Sequence, residues 1–160
     1  MSGFVIHALP MAGGILAIAP IPGVGGHYAQ DLEHLGDWKP ALVISMTTAV
    51  EMAASGAADL GADLQDAGTR WAHFPLEDFT APDLEQVALW PEISYTALAA
   101  LRGGGRVLIH CRGGCGRSGM AALRLMVDAG EDANDALLRL RSIRPCAVET
   151  DAQMLWAQQG

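Results

Sequence analysis

The chain has 160 residues, 51% of them hydrophobic, and a formal net charge of −8. That length suits a single domain, residues 1–160, able to bury roughly 70% of its unfolded surface without staples. The acidic balance argues against nucleic acid as a partner, which demands a basic face, but permits an anionic ligand at a locally positive site.

Phe4-Val5-Ile6 and Gly14-Ile15-Leu16-Ala17-Ile18 read as short strands around a turn at Pro10 to Gly13. The run from Ala8 to Gly25 is apolar, but Pro10, Pro20 and Pro22 interrupt it and Met1-Ser2-Gly3 carries no basic charge. Neither a membrane span nor a signal peptide is expected. Ile21 to Tyr28 is a loop, and Asp31 to Leu35 suggests a short helix. Ala41 to Met46 is a continuous apolar run of the kind buried on both faces of a sheet. Thr48-Ala49-Val50-Glu51 is a capping box, which opens a helix running toward Leu60. Arg70 to Pro75 is a further strand and delivers the chain to a loop, Leu76 to Asp83. From Asp83 to Arg102 the pattern is helical, restarted or kinked at Trp90-Pro91, and Gly103-Gly104-Gly105 ends it. Arg106 to His110 returns as a strand. The helix after Ser118 is apolar nearly all round, so its Arg124 requires an ion-pair or carbonyl partner. Asp132 or Asn134 starts another helix that ends before Pro145, and Thr150-Asp151-Ala152-Gln153 is a second capping box opening the last one. Strand and helix signals alternate, which gives an α/β fold: a twisted, mostly parallel sheet of about four to five strands with helices on both faces.

The chemistry concentrates where the strand at 106–110 ends. His110-Cys111-Arg112-Gly113-Gly114-Cys115-Gly116-Arg117-Ser118-Gly119 places a cysteine ahead of a glycine-rich turn and an arginine at a helix opening. Gly113, Gly114 and Gly116 let successive backbone N–H groups face one point and form a nest for an oxyanion. The helix start adds unpaired N–H groups and the positive end of its dipole, which favour both a phosphate and a thiolate. Arg117 supplies a planar fork able to grip two phosphoryl oxygens. The same letters also match a dinucleotide-binding glycine pattern, but helical pattern follows as far as Arg141 where that motif needs a strand.

This loop resembles that of the cysteine-dependent protein phosphatases, His-Cys-x5-Arg-Ser/Thr, at every defined position. Pro75, Asp78, Pro82 and Asp83 resemble the general-acid loop of the dual-specificity branch, closest to its cyclin-dependent kinase-associated type. The resemblance implies Cys111 as nucleophile, Arg117 as phosphate and transition-state ligand, Ser118 as the hydroxyl assisting the sulfur, and His110 as a brace. It implies Asp78 as general acid, with Glu77 the runner-up, while Asp83 sits at a helix N-terminus, where its charge suits the dipole. Arg112, Gly113, Gly114, Cys115, Gly116 and Arg117 would then line the phosphate site. Gln153 either positions the hydrolytic water or merely caps its helix. The function implied is a phosphoric monoester hydrolase of protein-tyrosine or dual-specificity type, with a cysteinyl-phosphate intermediate, acting on a phosphorylated protein or peptide as a monomer. It requires no cofactor and no metal, and the five histidines show no metal-ligand spacing.

Two rivals stand beside it: a rhodanese-type sulfurtransferase and a phosphate-binding pseudophosphatase. Three cysteines, an odd number with two in one turn, do not form a secreted disulfide framework, so a reducing cytoplasm is the expected compartment. Cys115 or Cys146 could instead trap an oxidised Cys111 as a disulfide.

Overall fold

The structure is a computed structural model and describes residues 3–160. Five strands, β1 (His7–Met11), β2 (Gly14–Ala19), β3 (Leu42–Ser45), β4 (Arg70–His73) and β5 (Arg106–His110), form one sheet in the order β1-β2-β5-β3-β4. Of the four strand pairs among the described residues, β1–β2 is antiparallel and the other three are parallel. Side chains alternate across the central strands. Leu16, Ile18, Leu42, Ile44, Val107 and Ile109 enter one core, and Ala17, Ala19, Val43 and Leu108 enter the other. Each face is covered by helices, so these strands are apolar except at their ends, Ser45 in β3 and Arg106 and His110 in β5, as expected of a parallel sheet without a wet face.

The first core lies under α5 (Trp90–Arg102), α6 (Gly116–Asp128), α7 (Ala133–Ile143) and α8 (Asp151–Ala157). The second lies under α1 (Tyr28–Asp37), α2 (Ala49–Ala54) and α3 (Leu60–Asp66). A short α4 (Leu84–Val87) precedes α5. β5 is the central strand, and its carboxyl end opens into the cysteine loop and α6, the place where such sheets bind ligands.

Three elements depart from the sequence reading. The first strand is His7–Met11 rather than Phe4 to Ile6, and the turn shrinks to Ala12-Gly13, both at positive φ. Pro10 is tolerated inside this strand because β1 is an edge, where a missing N–H breaks no ladder. The helix opened by Thr48 stops at Ala54, and a separate α3 follows, because Gly56 turns the chain into the left-handed region. The short helix expected around Asp31 runs from Tyr28 to Asp37. Trp90-Pro91 restarts a helix rather than kinking one. Arg124 has the partners its burial demands, with Nε on Asp128 at 3.1 Å, Nη1 on the Trp156 carbonyl at 2.9 Å and its plane over the Trp156 ring. Among the described residues no helix is long and apolar enough to cross a membrane.

Candidate active site

Cys111 leaves β5 buried, with 3% of its surface exposed, and its Sγ lies 3.2 Å from the Ser118 hydroxyl. Above it opens a cavity of about 250 Å³ walled by Asp78, Phe79, Arg112, Cys115 and Glu149. A larger hollow between Trp71 and Ile93, about 580 Å³, contains no cysteine. The loop amides of residues 112–115 donate to no acceptor among the described residues, so they remain available to an anion. Their direction is set from behind. Cys111 O accepts from His110 Nδ1 at 3.2 Å and Arg112 O from the Ile21 amide at 3.2 Å. Because the peptide is planar and trans, a carbonyl held outward turns the next N–H inward. Gly114 adopts φ +75, and a Cβ there would lie 2.6 Å from the Ala19 carbonyl carbon, so only glycine fits.

Arg117 is 1% exposed, and its fork is occupied on one side. Nη1 and Nη2 donate to the two Glu51 carboxylate oxygens at 2.7 and 2.8 Å, and Nη1 also reaches the Leu76 carbonyl at 2.8 Å. Nε is buried with no partner among the described residues, a donor left for an oxyanion. Burial is the largest single influence and works against the Arg117 charge, but the Glu51 hydrogen bonds and the nearby charges of Cys111, Glu51 and Asp78 together outweigh it and raise the guanidinium's pKa. In return Arg117 holds the Glu51 carboxyl down to about 2 against its own burial. Glu51 was legible only as a capping residue. It does that too, since Thr48 and Glu51 exchange side-chain-to-backbone bonds. Its second task had no local signal.

Asp78 stands across the cavity from Cys111, its side chain 40% exposed and Oδ1 3.5 Å from Arg117 Nη2. Glu77 is exposed and does not line the cavity. Asp83 caps α4 in a capping box with Gln86, whose amide also donates to Pro75 O at 3.0 Å and closes the loop. Phe79 sits at φ +64, an unusual state for an aromatic residue, with its amide on Asp78 Oδ1 at 2.9 Å. Gln153 is fully buried and lies outside the cavity lining. Its Oε1 accepts from the Glu149 and Thr150 amides at 2.9 and 3.2 Å, and its Nε2 donates to Thr80 O at 3.3 Å. The geometry therefore gives Gln153 the capping role together with a tether to the acid loop, and it is Glu149 that faces the cavity. Among the described residues no group of three or more histidine, cysteine, aspartate or glutamate side chains converges as for a metal ion.

Cys115 and Cys146 form a disulfide, and Cys111 is the free thiol. This corrects the pairings with Cys111 considered from the sequence, and it removes the ground on which a reducing compartment was expected. The bond ties the loop at Cys115 to the connection between α7 and α8.

The family described as polymorphic toxin system, DSP-PTPase phosphatase, has a sequence model that matches residues 26–131, from the loop before α1 to just beyond α6. The chain belongs to this phosphatase family. The active form of Tk-PTP is 31% identical over 94% of this chain and 92% of its own, with a TM-score of 0.72. Kinase associated phosphatase, solved with its catalytic-site cysteine substituted by serine, shares 23% identity over 99% and 94% of the two chains at a TM-score of 0.85. Human DUSP28 shares 18% over 99% and 95% at 0.66, and these last two show the fold. None of the curated proteins matches the chain in sequence. The phosphatase family sets aside the sulfurtransferase and the non-catalytic phosphate binder, and the five-stranded sheet agrees with the α/β fold expected.

His110 of this phosphatase is buried completely, and that burial pushes its pKa down to about 4. The neutral ring fits its partners in one tautomer. Nδ1–H donates to Cys111 O, while Nε2 accepts from the Ser45 hydroxyl at 2.6 Å, which in turn accepts from Trp71 Nε1 at 2.8 Å. The unfolded chain binds the proton near pH 6.5 and the folded one only near 4, so stability is full above that window and falls as pH drops through it. Urea unfolding should therefore show about 2 kcal/mol less stability at pH 5 than at pH 7 from this residue. Half-buried His7, also lowered chiefly by burial, adds with the same sign, whereas the Glu51 contribution is lost only below about pH 4.5. His110→Asn should flatten most of the slope, and a parent whose stability is equal at both pH values would refute the assignment.

Proposed function

We propose that this phosphatase hydrolyses phosphoprotein monoesters through a cysteinyl-phosphate on Cys111. The observation that carries the reading is one cavity lined by Cys111, the loop residues Arg112, Gly113 and Cys115, and Asp78, with the Arg117 guanidinium 3.5 Å from Asp78 and its Nε unpartnered among the described residues. The Cys111 thiolate attacks phosphorus in line, Asp78 protonates the departing oxygen, and the Sγ–P bond replaces the ester bond. The amides and Arg117 carry the charge of the equatorial oxygens in both steps, the electrostatic contribution that usually dominates. Asp78, now a base, takes a proton from the attacking water. The Sγ–P bond breaks, and the Ser118 hydroxyl donates to the sulfur as it leaves. Gln153 holds the Asp78 loop through Thr80. A second hollow of about 680 Å³ shares Val24 and Arg112 with the catalytic cavity, and the remainder of the substrate is proposed to lie there.

Acid quenching during turnover tests the covalent step: a phosphorylated peptide containing Cys111 should be recovered. Asp78→Asn should lower kcat by about 10²-fold on phenyl phosphate, whose leaving group needs a proton, and by much less on p-nitrophenyl phosphate. An equal loss on both substrates would take the acid role from Asp78.

A further inference from the structure

The two carbonyls held by His110 and Ile21 account for the front of the phosphate loop. The carbonyls at the back are held by residues 144–148, with the Gly119 amide sharing Cys115 O at 2.9 Å. Arg144 Nη2 donates to Gly113 O at 3.0 Å and its Nε to Gly114 O at 3.1 Å, while the Val148 amide donates to Cys115 O at 3.3 Å. These bonds aim the amides of Gly114, Cys115 and Gly116 at the anion, because each outward carbonyl fixes the N–H that follows it. The disulfide runs through the middle of the same contact, joining Cys115 to Cys146 with Cα atoms 5.2 Å apart.

The segment is itself pinned. Arg141 donates to Ala147 O at 2.9 Å and Val148 O at 3.0 Å, and the Ala147 amide returns to Arg144 O at 3.0 Å. Val148 sits at φ +67, a state a β-branched residue adopts only when its surroundings impose it. Half of the phosphate cradle thus depends on a stretch held in a strained conformation and secured by one reducible bond.

We propose that Arg144 and the Cys115–Cys146 disulfide form a redox-sensitive clamp that positions the phosphate-binding amides. Closed, it holds them ready for the anion; opened, it lets the loop relax and phosphate affinity falls. Cys146 is exposed and Cys115 half-buried, so Cys146 Sγ is the sulfur within reach of a reductant. The thiolate of a dithiol attacks it, the bond to Cys115 breaks, and Cys115 leaves as a thiolate that takes up a proton. The second thiol of the reductant then attacks the mixed disulfide and releases Cys146. The pair gains two electrons and the dithiol becomes a disulfide. Arg144 is a positioning residue here, since it touches the loop and not the substrate.

The inference rests on the phosphate-loop reading, and one experiment separates the two. Cys111→Ser protein, purified without reductant, is titrated with inorganic phosphate by calorimetry before and after treatment with dithiothreitol, which then finds only the 115–146 pair to reduce. Affinity should fall roughly tenfold, as for the loss of a charge-assisted hydrogen bond. Equal affinities, or free thiols at both positions before treatment, would overturn the clamp. No binding in either state would overturn the phosphate loop and the clamp with it. In protein retaining Cys111, Cys146→Ser should show a raised KM for p-nitrophenyl phosphate that reductant does not change. Arg144→Lys should retain more phosphate affinity than Arg144→Gln, a rescue that loss of packing alone would not produce.

Discussion

Cys111→Ser should lower kcat on an aryl phosphate by about 10⁴-fold or more while phosphate binding survives. The exchange removes the only thiol in the cavity and leaves a hydroxyl, which does not ionise near neutral pH and is a far poorer nucleophile. Little else changes. The side chain is buried and similar in size, and the outward carbonyls still aim the loop amides inward. Arg117 keeps its fork on Glu51, with Nε still unpartnered. Steady-state turnover and calorimetric phosphate titration on the same preparation check both halves. Turnover within tenfold of the parent would mean that water attacks phosphorus directly and that no cysteinyl-phosphate is needed.

Arg117→Lys should cost about 10³ in kcat/KM, at the upper end of what one transition-state donor supplies. Lysine keeps the charge but not the fork. An ammonium that satisfies Glu51 has no second planar edge to present to phosphorus, whereas the guanidinium offers Nη1 and Nη2 to Glu51 and Nε to the ligand at once. Arg117→Ala is the harsher variant, because it leaves the partly buried Glu51 carboxylate without its partner and so costs stability as well as catalysis. Glu51→Gln should lose activity less than Arg117→Lys, since a neutral partner still accepts one hydrogen bond. In the double variant the two losses should fall short of adding, because both act through one guanidinium. Additive losses would show that Glu51 and Arg117 work separately. Urea unfolding of each variant separates lost catalysis from lost fold.

The parts of the site legible in the sequence are those the chain writes contiguously. The strand at Arg106 to His110, the glycines, Cys111 and Arg117 lie within a dozen residues, and their meaning is local: an apolar run, a turn that needs glycine, a helix start. Asp78 was reachable because proline and aspartate recur around it in a resembling pattern. Glu51 was not, because its local pattern is complete as a capping box, and only the β3–β5 pairing brings α2 beside the loop. Arg144 was likewise one of several arginines on a helix until the 144–148 segment folded back onto Gly113 and Gly114. The cysteine pairing failed for a related reason. The reactivity expected of Cys111 drew attention to partners for it, while the turn sends Cys115 to Cys146, 31 positions away. In the fold, the errors fell at β1 and at the α2–α3 break, where an edge strand tolerates a proline and a single glycine divides an alanine-rich stretch.

The contacts that complete the cavity are widely separated along the chain: Arg117 meets Glu51 across 66 positions and Leu76 across 41, and Gln153 reaches Thr80 across 73. Such contacts are the slow, entropically costly ones to close, and no isolated helix or hairpin can form them. A refolding molecule therefore regains a working phosphate cradle only when β3 and β5 have paired and both termini of the sheet are in place. Recovered enzyme activity thus marks completion of the native topology.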